Sequence, residues 1–437
     1  MGRAALLIAI LLAVPALPAD PPDPELKPEP VSPRLVRSLA HPVPNSPIWF
    51  LRYSADGRRL AVAGEYSGIL QIWDPADGRE LARVTPPPGE HGAPDYGALT
   101  ADWKTALTVR NQKTARPEAV PPNQTLILFS SEVRAWDVAT GKPRPLIKLA
   151  AGRGAQQVIA SPDGTKLVTV EMQSFMQTEL QQLPFAAVYR DLSKDGPPIE
   201  LATGWGMPAF APDGKSFVLA TGIREVGQGR IRLFDALTGT ETRLLGDEPK
   251  ANIFFPSFSP DGQRVAAEVR NLEEKASVIK VWDRESGKKV AVLKPADPSI
   301  LLYPGFSAGG RFVMAIAQRG NAYVWNVATG RRMVTHHFGD NGIPRTVAVR
   351  PDNHLAAAVG TPVGNLPVNV RDSDPAHYPQ PHIILYDLTT GKPVETLVCP
   401  PGFPATAAFS PDGKTLAVGS SGAVHLFDVG DLLGRGR

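Results

Sequence analysis

This sequence of 437 residues has one cysteine, a small net charge and none of the common catalytic motifs. Its one cysteine, Cys399, excludes an internal disulfide, a thiolate zinc cluster and haem attached through Cys-x-x-Cys-His. The formal net charge is only +3 and no basic tract occurs, so nothing in the sequence favours a nucleic-acid partner. Gly-x-Ser-x-Gly, Walker-loop and His-Glu-x-x-His motifs are absent, and with them the usual sequence signals of a hydrolase, a nucleotide-binding enzyme and a zinc peptidase.

The sequence opens with the features of a secretory signal peptide. Arg3 provides a short positive region, residues 4–14 are almost wholly apolar, and small residues suited to cleavage follow. This predicts a signal peptide at 1–19 and an exported protein, periplasmic or extracellular. The apolar run is shorter than the roughly 20 residues that a spanning helix needs, so we expect no stable membrane span after cleavage. Residues 20–33 form a proline-rich acidic linker.

Proline and glycine are abundant, with 45 and 40 residues, and they are spread between short apolar runs. This distribution is typical of a fold with many tight turns. Hydrophobic residues make up 43% of the chain and charged residues 20%, which allows a substantial core and excludes wholesale disorder. No helical period of useful length separates the apolar runs, so the sequence predicts an all-β fold.

The chain repeats one pattern eight times. A Pro-Asp-Gly turn, or a variant of it, leads through an apolar run to an aromatic residue followed by Asp, and a second glycine-bearing turn such as "VATGK" comes next. Two of the eight pairs that end this pattern depart from aromatic-Asp, through Arg190 and Asn326. The eight pairs are Trp73-Asp74, Trp136-Asp137, Arg190-Asp191, Phe234-Asp235, Trp282-Asp283, Trp325-Asn326, Tyr386-Asp387 and Phe427-Asp428.

Each repeat has four short runs suited to antiparallel strands, and successive repeat ends are 41–63 residues apart. These are the properties of β-propeller blades, so we predict a single propeller over residues 34–433 with eight four-stranded blades. The last repeat lacks a fourth run, whereas residues 34–40 resemble one. We therefore expect this N-terminal strand to complete the last blade and close the ring. Seven blades are the alternative, because the second repeat has "DWKT" in place of Pro-Asp-Gly.

With its Trp-Asp repeat ends and "SPDG" turns, the chain resembles bacterial WD40-repeat proteins over roughly residues 34–430. It is also similar to the looser repeats of TolB-like propellers. The resemblance implies a scaffold that binds a protein or peptide partner, with no chemistry of its own and no cofactor. The sequence departs from the family where Arg190 replaces the aromatic residue and Asn326 replaces the aspartate.

An enzymatic alternative remains open. Eight-bladed quinoprotein dehydrogenases share the "D-x-x-T-G-K" turn, and lactonase-like propellers are a related possibility. Under this alternative, a small ligand or substrate would bind in the central channel, together with a metal or cofactor.

The repeat pattern separates the two faces of the ring. The Pro-Asp-Gly and Thr-Gly turns are short and lie on one face, which we call the short-turn face. Connections from second to third strands, and from one blade to the next, reach the opposite or variable face. Insertions at 110–125, 171–186, 223–229 and 361–381 all fall there. Since loops on rigid scaffolds carry function, we predict a partner-binding site on the variable face around the channel mouth.

The candidate partner-binding residues are polar or aromatic side chains in these connections: His91, Asp95, Tyr96, Trp205, Asp372, Asp374, His377, Tyr378 and His382. The segment "RDSDPAHYPQPH" offers two carboxylates and two imidazoles to a divalent ion. Its spacing fits no known metal loop, so a solvated loop is the favoured interpretation and no metal ligand is assigned.

Overall fold

A computed structural model provides the coordinates, and it divides the chain into two compact parts, residues 1–30 and 31–437. The structure describes residues 29–433 except for gaps at 45, 65–66, 88–90, 93–98, 117–125, 174, 177–184, 195, 204–205, 222–227, 272, 275, 340–341 and 363–379. The predicted signal peptide and most of the linker lie outside the described residues. Within this part of the chain, no helix is long and apolar enough to span a membrane.

Eight antiparallel sheets form the blades of a β-propeller, which confirms the predicted all-β fold and the count of eight. Blade 1 contains the strands Ile48–Tyr53, Leu60–Gly64, Leu70–Trp73 and Glu80–Val84, and blade 2 contains His91–Gly92, Thr105–Arg116, Leu126–Asp137 and Pro143–Lys148. Blade 3 contains Arg153–Ala160, Lys166–Gln173, Phe185–Asp191 and Ile199–Thr203, and blade 4 contains Gly206–Phe210, Ser216–Thr221, Gln228–Asp235 and Glu241–Pro249. Blade 5 contains Ala251–Phe258, Arg264–Asn271, Ala276–Asp283 and Lys289–Leu293, and blade 6 contains Leu301–Phe306, Phe312–Ala317, Asn321–Asn326 and Arg332–His337. Blade 7 contains Ile343–Val349, Leu355–Thr361, His382–Asp387 and Pro393–Val398.

Blade 8 contains residues from both ends of the sequence. Its strands Thr406–Phe409, Thr415–Ser420 and Ala423–Asp428 are completed on the outside by Leu35–Ala40. The predicted closure by residues 34–40 is therefore confirmed. Closing the ring in this way leaves no exposed edge between the first and last repeats.

The Pro-Asp-Gly turns are held by a repeated side-chain contact. Ser54, Ser161 and Ser410 each donate from Oγ to the aspartate two residues later, at 2.5–2.6 Å. The turn glycines have φ of 67–72°, a left-handed conformation that glycine adopts without steric cost. Trp103 and Asn353 occupy the same turn position in blades 2 and 7 with φ of 65° and 64°. The turns are therefore structural. Asparagine tolerates this conformation, whereas a bulky residue such as Trp103 rarely adopts it.

The aromatic residues at the repeat ends belong to the core, as their recurrence predicts. Trp325 and Phe427 are fully buried, and Trp282 is 2% exposed. Each lies opposite a buried residue of the second strand in its blade, as Trp325 does with Val313. In seven of the eight repeats, the residue at this position is therefore an aromatic side chain that helps to fill the core between neighbouring blades.

Arg190 occupies the aromatic position of blade 3, and its contacts explain the substitution. In blade 2, Trp136 donates from Nε1 to Thr108 Oγ1 at 2.8 Å. Arg190 donates from Nη1 to Thr169 Oγ1 at 2.6 Å, the equivalent position of blade 3. It also lies 2.7 Å from the carboxylate of Glu171, which is fully buried. The guanidinium therefore makes the hydrogen bond of the indole and compensates a buried charge as well.

Candidate functional site

The predicted site residues on the variable face are only partly within the described chain. His382 begins a strand of blade 7, lies half-buried and pairs with Gly360 and Val398. His91 belongs to a two-residue strand and lies opposite Val109. The remaining candidates fall outside the described residues, and their roles stay predictions: Asp95, Tyr96, Trp205, Asp372, Asp374, His377 and Tyr378.

His382 lies near two further histidines at the end of blade 6. Burial lowers the pKa of His336 to about 4, with smaller contributions from the charges of His337 and His382. The Nδ1 atom of His336 is 2.6 Å from the hydroxyl of Tyr386, and its ring packs edge-on against Phe338 at 4.3 Å. This environment is that of a packed, neutral imidazole. The described residues contain no group of three or more His, Cys, Asp or Glu side chains placed to hold a metal ion.

Blade 2 carries an ordered extension on the variable face. Its two central strands, Thr105–Arg116 and Leu126–Asp137, have 12 residues each and pair along their whole length. Residues 110–116, expected as part of a loop insertion, instead continue the strand. Phe175–Met176, from the second connection of blade 3, pairs with Leu126 and Ile127 and adds a third strand. The variable face therefore has a built, three-stranded platform.

A cavity of about 500 Å³ lies in the central channel. Its walls come from the first strands and first turns of blades 1 to 6, and are mainly apolar: Leu99, Ile159, Met207, Phe210, Phe255, Tyr303 and several prolines. The polar contributions include Arg52, Gln157 and Ser257. A volume of this size with a few polar groups is typical of a small-molecule site.

The cavity lies toward the short-turn face. Its lining includes Pro162 and Pro212, which belong to first turns, and residues from the carboxyl-terminal halves of first strands, such as Ile159 and Ser257. Residues of the variable-face connections do not appear among the described lining residues. The channel site is therefore separate from the predicted variable-face site.

Two aromatic residues of the wall sit at backbone bulges. Phe255 and Tyr303 have φ of 50° and 53°, unusual for residues with a Cβ, and their strands shift register there. Their ring centroids are 4.6 Å apart, and the Phe255 N–H donates to Met207 Sδ at 3.2 Å. The bulges turn both rings into contact with each other. Such strain of about 1–3 kcal/mol per residue clusters at functional sites.

Sequence reasoning missed this wall, although a signal was present. The first strands of blades 4, 5 and 6 read "GMPAF", "NIFFPSF" and "LLYPGF", each with a bulky residue directly before proline. Proline has no N–H to offer and is confined to strand edges or bulges. Three such pairs at one structural position are the pattern that marks the channel wall.

Comparisons with known proteins agree with the fold. The family model described as "WD domain, G-beta repeat" matches residues 33–74 and 391–428. No curated protein matches. Solved structures that match include the crystal structure of the computationally designed Ika8 protein, with a TM-score of 0.52 and 15% identity over 90% of this chain and 99% of that one. At this identity the likeness concerns the fold alone.

Proposed function

Since this chain is a WD40-repeat β-propeller, we propose that it is a scaffold that binds a protein or peptide partner through its variable face and catalyses no reaction itself. The extension of blade 2 is the observation that supports this proposal. It projects a paired strand surface from the variable face, opposite the short and uniform turns of the short-turn face. Loops and extensions on a rigid framework are the usual place for recognition.

The extension is built as a continuation of the blade, which favours a role as a preformed surface. Its strands stay paired from Thr105↔Asp137 to Arg116↔Leu126 without a register shift. Ser131, near its base, accepts a hydrogen bond from the Ala155 N–H at 3.0 Å and so ties it to blade 3. A preformed surface loses little conformational entropy when a partner binds.

A truncation tests this proposal. Replacing residues 112–130 by Asn-Gly leaves Asn111 opposite Ser131 and closes the strands with a two-residue hairpin turn. Leu237→Ser is the matched control, because Leu237 is 64% exposed in a turn of the short-turn face. We expect chemical cross-linking and mass spectrometry to recover the partner with the control and not with the truncated variant. Equal recovery with both variants would refute a role for the extension.

Export is a second part of the proposal, and it rests on the sequence of residues 1–19. We expect amino-terminal sequencing of the mature protein to begin near residue 20. A mature chain that begins at Met1 in the cytoplasmic fraction would contradict export while leaving the binding proposal intact.

A further inference from the structure

We propose that the channel cavity is a binding site for a carboxylate carried on an apolar body, with Arg52 as the group that binds the carboxylate. This site lies toward the short-turn face, so the inference does not depend on partner binding at the variable face. Three features support it: an uncompensated cation, a structure that holds this cation in place, and an apolar wall opposite.

Arg52 is the only lining residue of the described cavity with a formal charge. One of its terminal nitrogens donates to the carbonyl oxygen of Thr100, whereas its Nε is buried and has no hydrogen-bond partner. The charge of Asp102 raises the pKa of Arg52, and the Asp102 carboxylate accepts hydrogen bonds from the Thr100 hydroxyl at 2.6 Å and the Lys104 N–H at 3.0 Å. Burial lowers the pKa of Arg52 to about 10, so the group is still charged at neutral pH.

Arg52 is half-buried, and a partly desolvated cation without a contacting anion is costly, a cost that a bound anion relieves. No Asp or Glu occurs among the lining residues, so a ligand carboxylate would meet no like charge in the cavity wall. The guanidinium can bind such a group through two parallel N–H donors. A phosphate carries more charge and more acceptors than a single guanidinium satisfies, so a carboxylate is the better match.

Trp103 holds Arg52 in position. The Arg52 guanidinium carbon lies 5.2 Å from the Trp103 ring centroid, and that of Arg59 lies 4.8 Å from it. Trp103 adopts a left-handed φ of 65° at the turn position where most repeats have glycine. A tryptophan in this conformation is strained, and its stacking with two arginines gives a physical reason for its presence. This arrangement fixes the cation rather than leaving it free in solvent.

The wall contributed by blades 4 to 6 supplies contacts for the rest of the ligand. Phe255 and Tyr303 form an aromatic pair beside Met207, and Tyr303 remains 44% exposed. Ser257 adds a buried hydroxyl without a hydrogen-bond partner. An apolar or aromatic body of the ligand would cover these rings.

The ligand chemistry has two possible sources, a free organic acid and the carboxyl terminus of a peptide. We therefore choose 3-phenylpropionate and a short peptide ending in phenylalanine as probes, each paired with its carboxamide. Isothermal titration calorimetry of the full chain measures the four affinities. We expect at least one acid to bind about tenfold or more tightly than its amide, which is the loss expected for a hydrogen bond to a charged group. Preference for one acid over the other identifies the source.

Variants assign the effect to the cavity. Arg52→Met should weaken binding of the acid at least about tenfold and leave the amide unchanged. Arg59→Met is the matched control, because Arg59 stacks on the same tryptophan but does not line the cavity. If Arg52→Met fails to fold, Tyr303→Asp places a negative charge at an exposed wall position and Tyr303→Asn provides its neutral control. Tyr303→Asp should abolish binding of the acid probe, and Tyr303→Asn should retain it.

Two results would overturn the proposal. The first is equal binding of acid and amide, or no measurable binding of any probe, by the unaltered protein. The second is binding of the acid that Arg52→Met and Tyr303→Asp leave unchanged, since it would place the ligand elsewhere on the ring.

Discussion

Leu39, in the N-terminal strand, lies directly opposite Val424 in the last strand of the propeller. Both side chains are buried in the same cluster, at 4% and 0% exposure. Residues separated by almost the whole sequence therefore share one sheet, and the ring is closed by hydrogen bonds between the two ends of the chain. Blade 8 can form only when both termini have reached it.

Removing the Leu39 side chain should weaken this closure. We expect Leu39→Ala to lower the free energy of unfolding by about 2–4 kcal/mol, because it leaves a cavity between the first and last repeats. Val36 lies in the same strand and is 64% exposed, so Val36→Ala should change stability by less than about 0.5 kcal/mol. Urea denaturation measures both variants. If Leu39→Ala lowers the free energy of unfolding no more than Val36→Ala does, the packing of Leu39 at the closure contributes little to stability.

The buried charge pair of blade 3 gives a second prediction. Glu171 is fully buried beside Arg190 at 2.7 Å and Arg153 at 3.5 Å. Arg190→Met should cost about 3–5 kcal/mol, because it leaves the buried carboxylate with one distant cation, Arg153, and the Thr169 hydroxyl, which donates to it at 2.6 Å. Adding Glu171→Gln should recover much of this loss, and a double-mutant cycle in urea measures the coupling. The exposed Arg79→Met is the control and should cost less than about 1 kcal/mol.

If the double variant is no more stable than Arg190→Met alone, the cost arises from lost packing and not from the uncompensated charge.

His425 predicts a loss of stability in acid. It is 5% exposed, its Nδ1 lies 2.9 Å from Ser38 Oγ, and burial lowers its pKa to about 4. The unfolded chain has the higher pKa and binds the proton first. The stabilisation from the neutral imidazole is therefore complete above about pH 6.5 and falls by about 2–3 kcal/mol as the pH drops toward 4.

His425→Gln should reduce the slope of the stability profile between pH 6.5 and 4, as measured by urea unfolding at a series of pH values. Part of the slope should remain, because burial also lowers the pKa of His336 to about 4. His354→Gln, at an exposed position, is the control and should keep the slope of the unaltered protein. A slope that is identical in all three proteins would exclude His425 as its source.

Cys399 should be unreactive in the folded protein. Its side chain is fully buried, and burial raises the pKa of the thiol well above its usual range. Because the thiolate is the reactive form, we expect almost no labelling by Ellman's reagent under native conditions and one equivalent in denaturant. Rapid native labelling would show that blade 7 opens locally near this residue.

Much of the fold could be predicted from local pattern. The turns of Gly57 and Gly413, with φ of 72° and 71°, follow from Pro-Asp-Gly and its variant, because such turns are determined by a few neighbouring residues. The twelve-residue strands of blade 2 were not predicted. "RNQKTAR" at 110–116 has no apolar alternation, so its pairing with 126–132 depends on the partner strand and not on its own composition.

The candidate sites also differ in how far the sequence predicts them. The repeat pattern predicts a site in the variable loops, and the one described side chain among those candidates, His382, lies half-buried near the packed His336 and the exposed His337. The channel site combines Arg52, Gln157 and Ser257 from three different blades. No spacing in the sequence links these residues, because each is placed by the closure of the whole ring.

The sequence by itself predicted eight blades, with seven as the alternative, and determined the turns and the closing strand, since these follow from the repeat period and from turn chemistry that acts over a few residues. The count of eight was settled by the sheets of the structure. Only the tertiary structure decided what the ring encloses. Trp103 reads as a departure from a glycine turn, and Arg190 as a departure from an aromatic repeat end. In the structure, Trp103 packs against the Arg52 guanidinium at the channel, and Arg190 compensates the buried carboxylate of Glu171. Both roles depend on neighbours from other strands, which the local pattern cannot specify.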